Sequence, residues 1–280
     1  MVKFKLSAFA DEYSPDFDKQ IEGLKKNGVG MIEIRGVDGT NIAALSKEKA
    51  VEAKKKLDAA GIGVSALGSP IGKIKITDDI EPHLDSLRYC IEMAKIFDTK
   101  RIRMFSFYMP EGEEPEKYRD EVFSRLEKML EIAESCGIEL CHENEKGIYG
   151  DIPERCHEIL EHFGGRLKGV FDHANFLNVG AVPYPFGYNL LKNRITYFHI
   201  KDAVGNDIYP AGKGDGRIPE TISEIRRDFD GEIILTVEPH LFKFIGLDKL
   251  EKANEKIEKP FTDSEEAFGV AIDAIKAIIG

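Results

Sequence analysis

Tryptophan is absent from the 280 residues, so any stacking against a ligand ring falls to phenylalanine or tyrosine. Cysteine is scarce: Cys90, Cys136, Cys141 and Cys156 are the only four, and no two stand as a C-x-x-C pair. A chain of this length buries a sizeable core without covalent staples. The thiols therefore read as reduced and mostly buried, not as a disulfide framework, which fits a cytoplasmic protein. No apolar run reaches the ~18 residues of a membrane-spanning helix, and Met1–Leu6 lacks the apolar stretch of a secretory signal. Positive charge is also in deficit: 39 Lys and Arg against 50 Asp and Glu leave a net charge of −11. Nucleic acid is bound by neutralising phosphates, so neither a nucleic-acid nor a membrane partner is expected.

What remains is an ordinary globular composition, 42% hydrophobic and 32% charged. Short β-branched or apolar runs alternate with longer amphipathic ones. The predicted strands are Lys3–Phe9, Gly30–Arg35, Gly63–Leu67, Arg101–Phe107, Ile138–Glu143, Lys168–Asp172, Ile195–Ile200 and Glu232–Glu238. Helical period is clear over Asp16–Asn27, Lys47–Ala60, Pro82–Ile96, Pro115–Cys136, Ile152–Phe163 and Ser264–Ile279. Gly28, Gly61, Gly137 and Gly164 supply stop signals after four of them.

Successive strand starts lie 27 to 38 residues apart (Lys3 to Gly30 at the short end, Gly63 to Arg101 at the long end). That is the length of a βα unit, repeated eight times, and it predicts an α/β fold: one (β/α)8 TIM barrel domain over residues 1–280. An open doubly wound sheet would need fewer strands and a glycine fingerprint after the first, where this chain has Ala8-Phe9-Ala10-Asp11-Glu12. Two long connections, Ala203–Pro219 and His240–Asp263, the latter with a helix-like piece Leu247–Lys259, follow strands seven and eight. Both are expected at the rim where the strands end, the catalytic face of such barrels.

The last four strands end in Cys141-His142-Glu143-Asn144-Glu145, Phe171-Asp172-His173, Phe198-His199-Ile200-Lys201-Asp202 and Val237-Glu238-Pro239-His240. Strand ends of a closed barrel converge on one rim, so Glu143, Asp172, His199 and Glu238 become neighbours. Each terminates an apolar run, where a charge is costly unless paired or coordinating. Any one of them alone reads as a helix cap or an ion-pair partner; four on consecutive strand ends read as a ligand set. Three carboxylates and an imidazole suit one divalent ion, Mn, Mg, Co or Zn, rather than a soft-metal cluster.

This pattern resembles the sugar phosphate isomerase/epimerase superfamily, the xylose isomerase-like barrels. Its members include ketose 3-epimerases, inosose isomerase and dehydratase, and endonuclease IV. The resemblance runs from Ile32-Glu33-Ile34-Arg35 through His142-Glu143-Asn144-Glu145 and Phe171-Asp172 to His199-Ile200-Lys201-Asp202 and Glu238-Pro239. The Gly212-Lys213-Gly214-Asp215-Gly216 loop is similar to the family's loop after strand seven. The resemblance implies a small carbohydrate substrate, a homodimer or homotetramer, and metal binding by the quartet. Tyr149, Asn175 and Gly205 replace the glutamate, histidine and arginine of the ketose 3-epimerases, so that activity in the strict sense is not implied.

A divalent ion that polarises a carbonyl and its adjacent hydroxyl permits proton transfer through an enediolate. Glu143 and Glu238 are the expected base and acid. The expected function is isomerase or epimerase; the alternative is an inosose-dehydratase-like lyase. An endonuclease IV-like nuclease needs several metals and a basic face, which seven histidines and an acidic chain oppose. His173, Lys201, Glu33 and Arg35 are the candidate substrate-binding residues, with His240 a further rim candidate. His142 has the wrong strand parity for the site, and Phe9, Phe105 and Phe107 read as core before they read as ring walls. The glycine-rich loop lacks the frame of a phosphate loop and is expected to be a flexible flap.

Overall fold

The computed structural model describes residues 2–242 and 261–280; the predicted helical piece Leu247–Lys259 lies outside them. Eight strands, β1 (Val2–Ala8), β2 (Met31–Ile34), β3 (Gly63–Gly68), β4 (Arg101–Met104), β5 (Glu139–Glu143), β6 (Lys168–Asp172), β7 (Ile195–Ile200) and β8 (Gly231–Val237), form the sheet. They close into a barrel in which each strand pairs with its sequence neighbours, and β8 pairs back onto β1. All eight pairings are parallel. The connections carry α1 (Phe17–Lys26), α2 (Lys47–Ala60), α3 (Glu81–Ile96), α4 (Arg119–Ser135), α5 (Pro153–His162), α6 (His173–Leu177) and α7 (Ile218–Asp228); α8 (Ser264–Ile279) follows the last strand. The predicted (β/α)8 TIM barrel is the observed fold.

Local chemistry sets the boundaries. Asp16 and Ser46 cap α1 and α2 by accepting from Lys19 N and Lys49 N, and Asp263 does the same for α8, each satisfying a backbone donor with no partner in the helix. Gly61, at φ 70°, ends α2 in the left-handed conformation that its missing Cβ permits. β4 stops at Met104 instead of Phe107, because the amides of Phe105, Phe107 and Tyr108 are taken by carbonyls of Ile71, Gly72 and Ile74 in the loop after β3. α7 begins inside the segment that reads as a loop. Its proline falls in the first helical turn, where a missing N–H costs nothing.

Alternation along the strands divides the side chains into two sets. Outward residues such as Ile32, Ile102, Leu140, Phe171, Phe198 and Leu235 join one large core between barrel and helices. A separate small cluster of Ala66, Cys141, Val170 and Tyr197, with Ile234 against it, fills the barrel interior. It forms an apolar floor, and the inward residues one step further along the strands are polar: Glu143, Asp172, His199 and Thr236. Among the described residues, no helix is long and apolar enough to cross a membrane.

The last helix is held by its apolar face, with Phe268 fully buried edge-to-face against Tyr13, centroids 5.5 Å apart. Phe268→Ala is expected to cost about 3–5 kcal/mol of unfolding free energy, measured by chemical denaturation, without changing the affinity for divalent metal.

Candidate metal centre

Strand register delivers the quartet. Asp172 of β6 lies opposite His199 of β7, and His199 lies opposite Thr236 of β8. Glu238 is two residues beyond Thr236 and so returns to the same inner face. One ligand atom from each of Glu143, Asp172, His199 and Glu238 lies within 4.8 Å of all the others, and all four residues are buried. A divalent ion at about 2.0–2.3 Å from its ligands needs them no more than about 4–4.6 Å apart. The quartet therefore lies near the spacing that one ion requires, and would close on it.

Two further observations bear on that fit. Asp172 Oδ2 is buried without a hydrogen bond, while Oδ1 accepts from Asn175 N at 2.9 Å. A buried carboxylate oxygen left so is costly unless a cation serves it. The nearby cation is Lys201, its Nζ 3.2 Å from Asp172 Oδ2 and 2.7 Å from Glu238 Oε2. The residues fit a single divalent ion, with Lys201 at its edge. Glu12, Glu238 and His240 form a second grouping that shares Glu238. There Arg35 already bonds Glu12 at 3.1 Å and Glu238 at 3.2 Å, so the carboxylates of that grouping have a fixed cation of their own.

The charges are closely coupled. Burial pushes the Asp172 carboxyl up to about 7, with Lys201 pulling against it and the Glu238 and Glu143 charges adding to it. Burial likewise raises Glu12 to about 8, against the pull of Arg35. Burial opposes the His199 charge, yet Glu143 on Nδ1 (2.8 Å) and Glu33 on Nε2 (3.1 Å) outweigh it and raise the imidazole to about 10. For Glu238, burial is outweighed by Lys201, His240, His199 and Arg35, which hold it well below the usual carboxylate range. Glu143 is lowered in the same way by His199 and Arg103. Lys201 keeps its proton above the usual lysine range, because Asp172 and Glu238 outweigh its burial.

The candidate residues separate into those the fold brings together and those it does not. Lys201 and Arg35 are at the centre, the latter bonded to Asp11, Glu12 and Glu238. Phe9 packs its ring edge-to-face with His199, centroids 5.2 Å apart, and the guanidiniums of Arg35 and Arg103 lie over it. Phe107 faces Arg125 instead and belongs to the core. His142 bonds Ser106 Oγ at 2.9 Å on the outer face, as its parity predicts. His240 is at the rim, its backbone at φ 47° and its amide donating to Glu12 Oε2 at 2.6 Å.

Three expectations are corrected. His173 does not face the site: one residue past inward-facing Asp172, it turns to the helix layer, packs on Phe171 and bonds Thr221 Oγ1 at 3.1 Å. Glu33 is fully enclosed and bonds His199 and Tyr197, so it lies beneath the quartet and not at a substrate's far end. The glycine loop is not a free flap, since Asp202 accepts from Gly212, Gly214 and Gly216 amides at 2.9, 3.1 and 2.8 Å. A Cβ at Gly214 would stand 2.5 Å from Asp202 Oδ1, so the anchor itself requires glycine there.

Three other contributors carry no expected role in the sequence. Arg103 places Nε 3.3 Å from Glu143 Oε2. Asn144 exchanges two 2.9 Å bonds with the Asp172 backbone, and Asn175 reaches Glu143 Oε1 at 3.4 Å. The asparagines stand beside predicted ligands, a proximity that could have flagged them; Arg103, in mid-strand, had no such marker.

Residues 21–260 match the xylose isomerase-like TIM barrel family. The chain belongs to that family. No curated protein matches it by sequence. Among solved structures, it is similar to the probable 3-DHS dehydratase AsbF of Bacillus anthracis, at 16% identity and a TM-score of 0.74, over 97% of this chain and 98% of that one. The IolI protein, solved with a bound zinc atom, aligns with a TM-score of 0.73 at 16% identity over 98% of each chain. An L-ribulose 3-epimerase aligns at 0.74 and 14% identity, over 99% of this chain and 95% of that one. At such identities the likeness is one of fold, and this xylose isomerase-like barrel must be read from its own rim.

The site predicts an unusual pH response of the metal-free protein. His199, raised from 6.5 to about 10, contributes stability that is present below 6.5 and is lost as pH rises through 10. Asp172 and Glu12, raised from 3.8 to about 7 and from 4.5 to about 8, penalise the fold increasingly across those intervals. All three make the native state bind more protons than the unfolded one. His142 and His173, lowered by burial to about 4 and 3, act the other way only below about 6.5, so above that stability falls with rising pH. With chelator present, Tm is expected to be lower at about pH 8.5 than at about pH 6. A divalent ion is expected to raise Tm more at the higher pH, because there it displaces fewer protons. Equal metal-induced shifts at the two pH values would contradict this arrangement.

Proposed function

We propose that this barrel is a divalent-metal-dependent isomerase or epimerase of a small sugar, sugar acid or sugar phosphate, acting by proton transfer through an enediolate. The observation that carries the reading is the convergence of Glu143, Asp172, His199 and Glu238 on one buried point, with the Lys201 ammonium bonded to Glu238. Glu143, Asp172, His199 and Glu238 would hold the ion, which when bound supplies Lewis-acid polarisation of a substrate carbonyl and its adjacent hydroxyl.

The protein's own groups divide the proton transfers. Glu143, kept ionised by Arg103 and His199, is the base that takes the proton from the carbon between carbonyl and hydroxyl. Glu238 serves the other face. Its carboxylate is held ionised by the Lys201 ammonium at 2.7 Å, so it acts on that face as a second base, taking a proton or returning one it has taken. Return of the proton to the same carbon from the opposite face gives epimerisation; return to the neighbouring carbon gives isomerisation. Phe9 and Phe105, each buried beneath a guanidinium, exclude water from one side. The same enediolate could instead expel a β-hydroxyl, which leaves as water with the proton that one of the two glutamates has taken from carbon; that outcome is dehydration.

The test is exchange of substrate C–H for deuterium in D₂O, over a panel of ketoses, sugar acids and sugar phosphates, with protein loaded with Mn, Mg, Co or Zn. Exchange with an epimeric or isomeric product is expected, and Glu143→Gln should lower its rate about 10²–10⁴-fold. A conjugated enone absorbing in the ultraviolet would assign the lyase outcome. Absence of exchange and product across the whole panel would remove the enediolate reading. Independently, Glu143→Gln and Asp172→Asn are both expected to lower bound metal in purified protein; unchanged content in both would exclude the quartet as its site.

A further inference from the structure

Glu33 is a carboxylate fully enclosed inside the barrel, and proton transfer gives it no task. It projects from β2, three strands round the ring from β7 by way of β1 and β8. Its two oxygens are nonetheless committed to β7. Oε2 stands 3.1 Å from His199 Nε2, and Oε1 accepts from the Tyr197 hydroxyl at 3.1 Å. Arg103 Nε is 3.8 Å from Oε1, beyond hydrogen-bond reach. The other ring nitrogen, Nδ1, points into the quartet at 2.8 Å from Glu143 Oε1. A carboxylate oxygen accepts, so with no ion bound each ring nitrogen donates to an acid, Nε2 to Glu33 and Nδ1 to Glu143. Only Nδ1 faces the quartet, so an ion seated there would take the place of the Nδ1 hydrogen while Nε2–H stays on Glu33.

We propose that Glu33 is a positioning residue: by accepting from His199 Nε2–H it fixes the ring so that Nδ1 alone is presented to the metal. The inference rests on the metal reading of the quartet. A purely structural role explains the geometry less well. A buried acid is a poor space-filler, and an apolar residue of similar volume is often neutral or stabilising in its place. The ring is also flanked by Phe9 at 5.2 Å and Tyr197 at 5.5 Å between centroids. Those contacts limit its tilt but leave open which nitrogen carries the hydrogen. A carboxylate on the far nitrogen of a metal-binding imidazole decides that, and it makes the near nitrogen more basic.

The experiment compares wild type with Glu33→Leu, which keeps bulk but accepts no hydrogen bond, and Glu33→Gln, whose amide oxygen still accepts. Three readouts are used: Zn²⁺ affinity by competition with a chelator, the visible spectrum of the Co²⁺-loaded protein, and the ¹⁵N-resolved ring signals of His199 in metal-free protein. The expected result is an affinity loss of about 10–100-fold with an altered cobalt spectrum for Glu33→Leu, and a substantially smaller loss for Glu33→Gln. An exchange-protected Nε2–H signal should be present in wild type and Glu33→Gln and absent in Glu33→Leu. Circular dichroism and Tm establish that each variant is folded; should Glu33→Leu not fold, Glu33→Gln and the wild-type Nε2–H signal decide. The inference is overturned if folded Glu33→Leu binds Zn²⁺ as tightly as wild type, if Glu33→Gln is no better than Glu33→Leu, or if wild type shows no protected Nε2–H. Wild type that takes up no metal at all would instead refute the quartet reading, and this inference with it.

Discussion

Carboxylates crowd at one end of this barrel, and the rest of the site is an answer to their mutual repulsion. Glu12, Glu33, Glu143, Asp172 and Glu238 are all enclosed, where charge is least tolerated. Arg35 holds Glu12 and Glu238 together, Arg103 stands against Glu143, and Lys201 bridges Asp172 and Glu238. His199 completes the balance between Glu143 and Glu33. Each cation serves two acids or an acid and an aromatic face, so removing one leaves a buried charge uncompensated, a costlier event than losing a surface pair.

The fold meets this demand by separating its tasks along the barrel axis. The apolar floor of Ala66, Cys141, Val170 and Tyr197 excludes water from below. Tyr197 belongs to both regions, its ring in the floor and its hydroxyl on Glu33. Above, Asp202 gathers three glycine amides and ties the connection after β7 to the residue next to Lys201. The site is thus a polar layer between a dry floor and an anchored rim.

How much of this was legible in sequence follows from where each residue sits. The quartet could be read because its members end apolar runs, and spacing alone showed that those runs become neighbours in a closed barrel. Glu33 stands out in the sequence but cannot be placed from it, since a strand-end acid looks alike whether it faces solvent or a histidine across the barrel. Arg103 passes unmarked because Arg101 and Arg103 share the inward parity, and nothing in Arg101-Ile102-Arg103 says which of them stands level with the quartet. Proximity to Asp172 draws His173 toward the site, although strand parity, which turns His142 outward, applies equally to it. α7 stayed hidden behind glycine and proline, residues that suit a helix start as well as a loop.

Parity also determines how the barrel tolerates change. Between His199 and Lys201, where β7 ends, stands Ile200, and before them Phe198, both buried in the outer core against the helices. A slip of one residue along this strand would trade two site groups for two hydrocarbons, and would at once drive an imidazole and an ammonium into the helix layer. The apolar residues that never see the site therefore keep it in register. A change of chain length would therefore be tolerated only in the connecting loops, where the rim can vary while the strands beneath it stay locked.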